Sequence, residues 1–490
     1  MCGIAGFWRT QKDMNEQEMT HLAQRMADAI DYRGPDDSGV WCYEAQGLAL
    51  AHRRLSILDL SPLGHQPMTS ASGNSTIIYN GEVYTTAAMR QELEAQGKTF
   101  RSHTDTEVIL EACETWGVEK TVARCVGMFA FAYWNHTTQT LFLVRDRLGI
   151  KPLYWGKCGE TFFFGSQLRS FLKHPDFRAV IDPQALSTYF SYNYIPAPYS
   201  IYKGIEKLRP GHIAEISSKG DVKQYSYWSM ENIVAQAAAH PHTGTDEQQI
   251  DELEALLKDA VGLRMIADVP LGAFLSGGID SSLVVALMQA QSSTPVKTFS
   301  IGFQEAGFDE SLYAKKVAQH LGTDHHELSL SADEAQSIIP NLAQWYDEPF
   351  ADVSQIPTYL VSRLAREHVT VSLSGDGGDE LFGGYGRYFL GDSLWGKTQC
   401  IPQMLRGLVG KSATALPPGT WDKLGGMIPN SYFSNQLGDK IHKGAALLTA
   451  TSQQDFYENL IQLWPDSACL VPGSHPYRLS PDVPGHPTVT

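Results

Sequence analysis

Cys2 and the stretch 276–282 hold residue types that could do chemistry. If Met1 is removed, Cys2 begins the chain. Its own α-amino group, with an unperturbed pKa of roughly 7.7 to 8, could then act as the base for its thiol. The alternative is that Cys2 is a buried small hydrophobe, which is the usual role of a free cysteine. Position 2 alone is therefore weak evidence for a nucleophile.

The stretch 276–282, Ser-Gly-Gly-Ile-Asp-Ser-Ser, lies between an apolar run and a helical pattern within 271–290. Its two glycines would let backbone N–H groups approach a phosphate, and the N-terminus of the following helix favours an anion. No Gly-Lys-Ser/Thr follows, so this is not a Walker A loop. A turn that caps a buried helix is the alternative. The full pattern between a strand and a helix favours a phosphate-binding loop.

A second glycine-rich loop, residues 374–385, follows a predicted buried strand at 369–373. The stretch 276–282 resembles the pyrophosphate-binding loop of ATP pyrophosphatases, which adenylate a substrate. The loop 374–385 resembles the matching loop of glutamine-dependent asparagine synthetases. Calcium binding is the alternative for such an acidic loop, but the ligand spacing of an EF-hand is missing. The resemblance implies a glutaminase domain at the N-terminus.

The N-terminal half carries further matches to that glutaminase domain. They are the stretches 33–36, 51–59, 77–82, 104–107 and 145–154. For two groups of these residues, an interpretation without a role in function is also possible. Arg54 could form a surface ion pair of little value, and Asn80-Gly81, which we expect where a strand enters a turn, is the commonest hairpin signal. The order of the matches on one chain makes coincidence remote.

The resemblance implies roles for residues of the glutaminase half. Cys2 would be the nucleophile, and Asn80 and Gly81 would form the oxyanion hole. Arg54 would clamp the α-carboxylate of glutamine, and Asp105 would hold its α-ammonium group. The other implied glutamine contacts are Leu55, Ser56, Ile57, Leu58 and Glu82.

The resemblance also implies an ATP site in the second half. Its implied contacts are Leu275, Ser276, Gly277, Gly278, Asp280, Ser281, Ser282, Ile301, Ser374 and Gly375, with Leu275 and Ile301 beside the adenine. Asp280 and Asp379 would hold the Mg²⁺ that accompanies ATP. Asp376 occupies the position that contacts the acceptor substrate, where the family often has the longer Glu.

By the same resemblance, residues 2–190 form an α+β N-terminal-nucleophile hydrolase domain, an αββα sandwich of two antiparallel sheets between helical layers. The sequence itself shows only short alternating strands and a few helices. Residues 191–250 are predicted to be a connecting segment. In 251–490, strands alternate with helices, which predicts an α/β, doubly wound, mostly parallel sheet with ligands at the carboxyl ends of its strands.

Composition excludes several classes of function. The chain has 490 residues, too many for one core, and its formal charge of −16 argues against a nucleic-acid or anionic-membrane partner. No apolar run approaches the roughly 20 residues that span a membrane, and the N-terminus lacks a secretory signal. Seven cysteines with no Cys-x-x-Cys pair indicate reduced thiols in the cytoplasm. The sequence leaves the oligomeric state open; a homodimer is one expectation.

The match weakens after about residue 390. The family continues with an Asp-Lys-containing segment and a Glu-Ala-Arg-Val-Pro segment, and neither is present; Asp439-Lys440 stands in a different context. We therefore expect a C-terminally incomplete synthetase domain. Either the chain is a truncated or frameshifted product, or another basic group substitutes there. Without such a group the phosphate site would lack a cation, a loss of several kcal/mol.

The resemblance implies ATP-dependent synthesis of asparagine from aspartate through β-aspartyl-AMP, with ammonia supplied by glutamine hydrolysis. Two alternatives stay open. One is a glutaminase whose synthetase domain is inactive or amidates another carboxylate, and the other is a non-catalytic regulatory or scaffold subunit. Glutaminase activity is the better supported half of the hypothesis.

Overall fold

The computed structural model describes residues 1–303, 311–425, 437–464 and 467–477. The described chain forms two compact units. The larger contains residues 1–185 and 195–375, and the smaller contains residues 186–194 and 376–477. In the part of the chain that the structure describes, no helix combines the length and the apolar character needed to cross a membrane.

Two six-stranded antiparallel sheets occupy the N-terminal part of the larger unit. The strands are β1 (Gly3–Arg9), β2 (Asp37–Tyr43), β3 (Leu48–Arg54), β4 (Met68–Thr69), β5 (Ser75–Val83), β6 (Gly127–Asn135), β7 (Thr140–Arg145), β8 (Tyr154–Cys158), β9 (Thr161–Gly165), β10 (Ile205–Lys207), β11 (His212–Ser217) and β12 (Val222–Ser226). One sheet has the order β10-β8-β9-β1-β3-β2, and the other has the order β12-β11-β7-β6-β5-β4.

Six helices accompany these strands in the described N-terminal residues. They are α1 (Glu16–Asp28), α2 (Thr86–Ala95), α3 (Asp105–Trp116), α4 (Val118–Arg124), α5 (Leu168–Phe171) and α6 (Pro183–Tyr192). Helix α1, predicted over roughly 14–30, begins with a capping box between Asn15 and Glu18. It buries Met19, Leu22 and Met26, a helical spacing, and packs on β1, β2 and β3.

Alternation along β5 divides the core into two hydrophobic clusters. Ile78 belongs to a cluster between the two sheets, where Trp8 and Trp134 meet edge to face with ring centroids 5.2 Å apart. Ile77 and Tyr79 belong to a second cluster, which packs the outer face of the same sheet against α2, α3 and α4. Successive strand residues point to opposite faces, so one strand supplies both cores.

Part of the predicted connecting segment belongs to the sheets. Strand β10 pairs with β8, and β11 pairs with both β7 and β12. The prediction of a linker over 191–250 therefore differs from the structure in this stretch, because strands of three to six residues give little periodicity to detect. Helix α7 (Met230–Ala239) follows and buries no side chain, which explains its weak pattern.

The second half of the larger unit contains a four-stranded parallel sheet. Its elements are α8 (Asp246–Arg264), β13 (Leu271–Phe274), α9 (Ile279–Gln291), β14 (Lys297–Phe303), α10 (Ser311–Leu321), β15 (Asp324–Leu330), α11 (Ala332–Trp345), α12 (Gln355–Arg366) and β16 (Val371–Leu373). The strand order is β15-β14-β13-β16, and every pair is parallel. The chain direction across the sheet reverses between β13 and β16, so ligands are expected outside the carboxyl ends of these two strands.

The smaller unit is helical in its described residues. Its helices are α13 (Gly378–Phe382), α14 (Gly386–Gln399), α15 (Gln403–Thr414), α16 (Pro418–Gly425), α17 (Leu437–Leu448) and α18 (Gln453–Ile461). Leu447, Ala450 and Phe456 form a small core against α14. Among the described residues, the predicted mostly parallel sheet thus ends at β16, and the elements that follow it are helices.

Candidate active site

One cavity collects the residues predicted to bind glutamine. Its lining consists of Met1, Cys2, Arg54, Leu55, Ile57, Leu58, Gly64, Gln66, Tyr79, Asn80, Gly81, Glu82, Thr104, Asp105, Thr106 and Lys151. These residues come from the two positions before β1, the end of β3 with its following loop, β5, the start of α3 and the loop between β7 and β8. Ser56 lies outside this lining. Its N–H donates to Asp36 at 2.8 Å, and it lines a neighbouring cavity.

Three contacts hold Cys2 in place directly before β1. Its Sγ accepts from the Leu55 N–H at 3.4 Å and lies 3.6 Å from the Leu55 carbonyl, and its own carbonyl accepts from Arg33 Nε at 3.0 Å. Burial raises the pKa of the Cys2 thiol, and the Leu55 N–H opposes this shift. Burial also lowers the pKa of the Met1 amine to about 5. The thiol lines a cavity, unlike a cysteine that only fills space in a hydrophobic core.

Arg54 is a buried loop anchor. Its side chain donates to the carbonyls of Ser61, at 2.9 Å, Leu58 and Asp59, and the residue is only 5% exposed. A Cβ on Gly64 would lie 1.9 Å from the guanidinium, so only glycine fits there. The alternative of a surface ion pair is wrong. Arg54 holds the loop after β3 and still lines the cavity.

Asn80 and Gly81 lie inside β5, where Asn80 faces Ala130 and Gly81 faces Phe129 on β6. The predicted turn at this point is wrong, because the strand continues to Val83. A Cβ on Gly81 would lie 2.4 Å from the Met128 carbonyl, so glycine allows the close approach of β6. Asn80 Nδ2 is buried and has no hydrogen-bond partner among the described residues. This buried donor is available to an oxygen acceptor in the cavity.

Two carboxyl groups close the other side of the cavity. Asp105 begins α3 and accepts from the Tyr79 hydroxyl at 2.7 Å and from the Val83 N–H at 3.0 Å. Burial raises the pKa of Asp105. Burial, assisted by the Asp105 charge, raises the pKa of Glu82 to about 7. A cationic group would favour the ionised form of both.

The sequence prediction missed Lys151, which is 5% exposed and lines the same cavity. Asp146 fixes the backbone of its loop by accepting from the N–H groups of Leu148, Ile150 and Lys151. The stretch 145–154 matched the family, but that match assigned no role to a single residue. The structure alone shows where the lysine side chain ends.

The predicted phosphate loop connects β13 to α9, as expected. Gly277 has a φ of +81°, and a Cβ there would lie 2.6 Å from the Ala314 N–H nitrogen, so glycine is required. Ser276 Oγ and Ser281 Oγ are 2.9 Å apart, which draws the loop together. Ser282 Oγ is buried without a hydrogen-bond partner in the described residues. The loop therefore offers a free hydroxyl beside the start of α9.

The second loop of the prediction meets the first at the carboxyl ends of β13 and β16. A Cβ on Gly375 would lie 2.7 Å from the Ser281 N–H nitrogen, so Ser374-Gly375 packs directly on the phosphate loop. Leu275 and Ile301 belong to different hydrophobic clusters, Leu275 with α9 and Ile301 with α11 and α12. Their expected place beside an adenine stays a prediction.

The acidic residues of the prediction lie in both units. Asp280 is in the first turn of α9 in the larger unit. In the smaller unit, Asp376 precedes α13 and Asp379 lies within it, where a Cβ on Gly384 would lie 2.0 Å from its Oδ1. Across the described residues, no group of three or more His, Cys, Asp or Glu side chains could hold a metal ion alone.

Comparison with known proteins identifies the family. The profile described as "Glutamine amidotransferase domain" matches residues 1–228, and the profile "Asparagine synthase" matches residues 252–478. The putative asparagine synthetase [glutamine-hydrolyzing] 2 of Methanocaldococcus jannaschii is 39% identical over 406 residues, which are 79% of this chain and 76% of the relative. The chain belongs to the family of glutamine-hydrolysing asparagine synthetases.

Two further comparisons show how far this similarity extends. Asparagine synthetase [glutamine-hydrolyzing] 1 of Bacillus subtilis is 35% identical over 419 residues, and the match covers 86% of this chain but only 64% of that protein. A solved structure of glutamine phosphoribosylpyrophosphate amidotransferase from B. subtilis aligns with a TM-score of 0.35 and 15% identity, covering 66% of this chain and 65% of that one. At that score the structural likeness decides nothing further about the chain.

Proposed function

We propose that this chain hydrolyses glutamine at Cys2 and uses the ammonia to convert aspartate to asparagine with ATP. The observation that carries the first step is the cavity where the Cys2 thiol, the partnerless Asn80 Nδ2, Arg54 and Asp105 lie together. These groups match a free amino acid with an amide at its far end: a nucleophile, an oxyanion donor and one charge for each end of the backbone.

In this proposal, the Cys2 thiolate attacks the γ-carbonyl carbon of glutamine. After removal of Met1, the α-amino group of Cys2 takes the thiol proton and passes it to the leaving ammonia. Asn80 Nδ2 and the Gly81 N–H stabilise the oxyanion. Water then hydrolyses the thioester to glutamate. We also propose that this part of the chain is an N-terminal-nucleophile domain of the αββα type, which its two sheets, shared core and outer helices support.

The second step would use the two loops outside β13 and β16. The aspartate β-carboxylate attacks the α-phosphate of ATP, which releases pyrophosphate and gives β-aspartyl-AMP; ammonia then displaces AMP. The partnerless Ser282 Oγ and the close packing of Gly375 on the loop support phosphate binding there. Asp280, at the start of α9, would hold the Mg²⁺ that accompanies ATP, and the bound ion would neutralise phosphate charge.

The first experiment is an incubation of the protein with amide-¹⁵N-glutamine, aspartate and Mg-ATP, scored for glutamate, AMP and labelled asparagine. Labelled asparagine supports the whole proposal. Glutamate without AMP supports the second candidate, a glutaminase whose synthetase domain is silent or takes another carboxylate. If neither glutamate nor labelled asparagine forms, both candidate functions are overturned, and a non-catalytic subunit is the alternative that remains.

Two variants sharpen this result. Cys2→Ala removes the nucleophile, and we expect glutamate release to fall by roughly 10³-fold or more. Cys42→Ala is the matched control, because Cys42 lies on β2 outside the cavity. If glutamate release survives Cys2→Ala unchanged, the nucleophile is elsewhere.

A further inference from the structure

Lys151 presents a buried cation to the glutamine cavity, where the Glu82 charge favours its ionised form. Its side chain lines the cavity, yet its Nζ has a single hydrogen-bond partner in the described residues, the Met1 sulfur at 3.2 Å. Among the described residues, no carboxylate forms an ion pair with that nitrogen. A thioether is a weak acceptor, so an ammonium held this way is poorly compensated.

The lysine is held in place by its backbone. Its N–H donates to Asp146 Oδ2 at 2.9 Å, and its carbonyl accepts from Arg145 Nε at 2.9 Å. Asp146 is itself fully buried. The loop therefore fixes the backbone from which the buried side chain reaches the cavity.

Met1 is the group that would leave on maturation under the proposed function. Removing it takes away the one hydrogen-bond partner of Lys151 Nζ among the described residues and leaves the ammonium in a cavity that Cys2 also lines. We propose that Lys151 is a positioning residue whose positive charge stabilises the thiolate of the mature N-terminal Cys2. This inference rests on the proposed function and adds a residue to it.

The electrostatic surroundings support this role. The Lys151 charge opposes the burial that raises the pKa of Cys2. Burial lowers the pKa of Lys151, and Glu82 opposes that shift. The charged or titratable groups around the pair are the N-terminal amine, Arg33, Arg54, Glu82, Asp105 and Asp146.

The test measures the thiol itself. Iodoacetamide alkylates the thiolate, forming a C–S bond with loss of iodide, and mass spectrometry of the N-terminal peptide reports both this modification and the removal of Met1. For Lys151→Met, we expect the pH midpoint of Cys2 alkylation to rise by about one unit or more. Lys151→Arg keeps the charge and should keep the midpoint. Lys157→Met is the matched control, because Lys157 is exposed on β8.

Three outcomes separate the possibilities. An unmoved midpoint in a folded Lys151→Met protein overturns the inference. A raised KM for glutamine with an unmoved midpoint also overturns it, since Lys151 would then bind substrate directly. If Lys151→Met does not fold, Lys151→Gln is held to the same criterion. Failure of the wild-type protein to release glutamate contradicts the proposed function instead, because alkylation does not depend on turnover.

Discussion

At the scale of single residues, the raised pKa of Glu82 predicts how the stability of the protein depends on pH. Burial, with the nearby Asp105 charge, raises the pKa of this carboxyl from 4.5 to about 7. The folded protein therefore binds the proton more tightly than the unfolded chain does, and the contribution of Glu82 to stability falls as the pH rises from 4.5 through 7. The shift corresponds to an upper bound of about 3 kcal/mol.

We therefore expect Glu82→Gln, which stays neutral, to lose this pH dependence. Its melting temperature without glutamine should be similar to that of the wild type at pH 4.5 and higher at pH 8. Glu94→Gln on the exposed face of α2 is the control and should not differ between the two pH values. A constant difference between Glu82→Gln and wild type across this range would show that Glu82 is not perturbed by burial.

At the scale of elements, the loop after β3 is held from the second half of the chain. The Asp59 N–H donates to Asp268 Oδ2 at 2.8 Å, and the Asp268 N–H donates to the Ile57 carbonyl at 3.0 Å. Asp59 has a φ of +55°, so its backbone is already strained. This loop supplies Leu55, Ile57 and Leu58 to the cavity wall.

Loss of the hydrogen bond to Asp268 should make this part of the cavity wall less well ordered, and it should leave the catalytic residues in place. We expect Asp268→Ala to raise the KM for glutamine by about 3- to 10-fold, with kcat nearly unchanged, because one hydrogen bond is lost. Asp268→Asn keeps an acceptor and should keep the wild-type KM. Asp259→Ala, an exposed acid on α8, is the control. An equal fall in kcat for Asp268→Ala would mean that Cys2 itself has moved.

The elements also show what the sequence could predict. The β13-loop-α9 pattern appears in sequence because apolar runs and glycines mark it locally, and the structure has it where expected. The predicted turn at Asn80-Gly81 is wrong because the glycine is needed for the close approach of β6. The contacting residue, Met128, lies 47 residues further along the chain, so no local sequence pattern shows this need. Lys151 was missed for the same physical reason: a lysine becomes part of a site only through the neighbours that folding brings to it.

At the scale of the whole molecule, the larger unit joins two sheet systems through two partly buried ion pairs. Arg169 pairs with Asp347, and Lys207 pairs with Glu348; the two carboxylate side chains are 5% and 10% exposed. The Tyr154 hydroxyl also donates to Glu348 at 2.9 Å. Removing one partner of such a pair leaves an uncompensated buried charge, so these contacts tie residues 1–228 to the parallel-sheet part.

The two proposed reactions use different sheets, although ion pairs join the two parts of the chain. One variant in each site can test whether the two reactions are independent. Cys2 precedes β1 of an antiparallel sheet, whereas Gly375 follows β16 of the parallel sheet. Cys2→Ala should lose glutamate release and keep AMP formation from aspartate, ATP and added ammonium. Gly375→Ala should lower AMP formation by about tenfold or more, since its Cβ would lie 2.7 Å from the Ser281 nitrogen, and should keep glutamate release. Loss of both activities in either folded variant would mean that the two sites work as one.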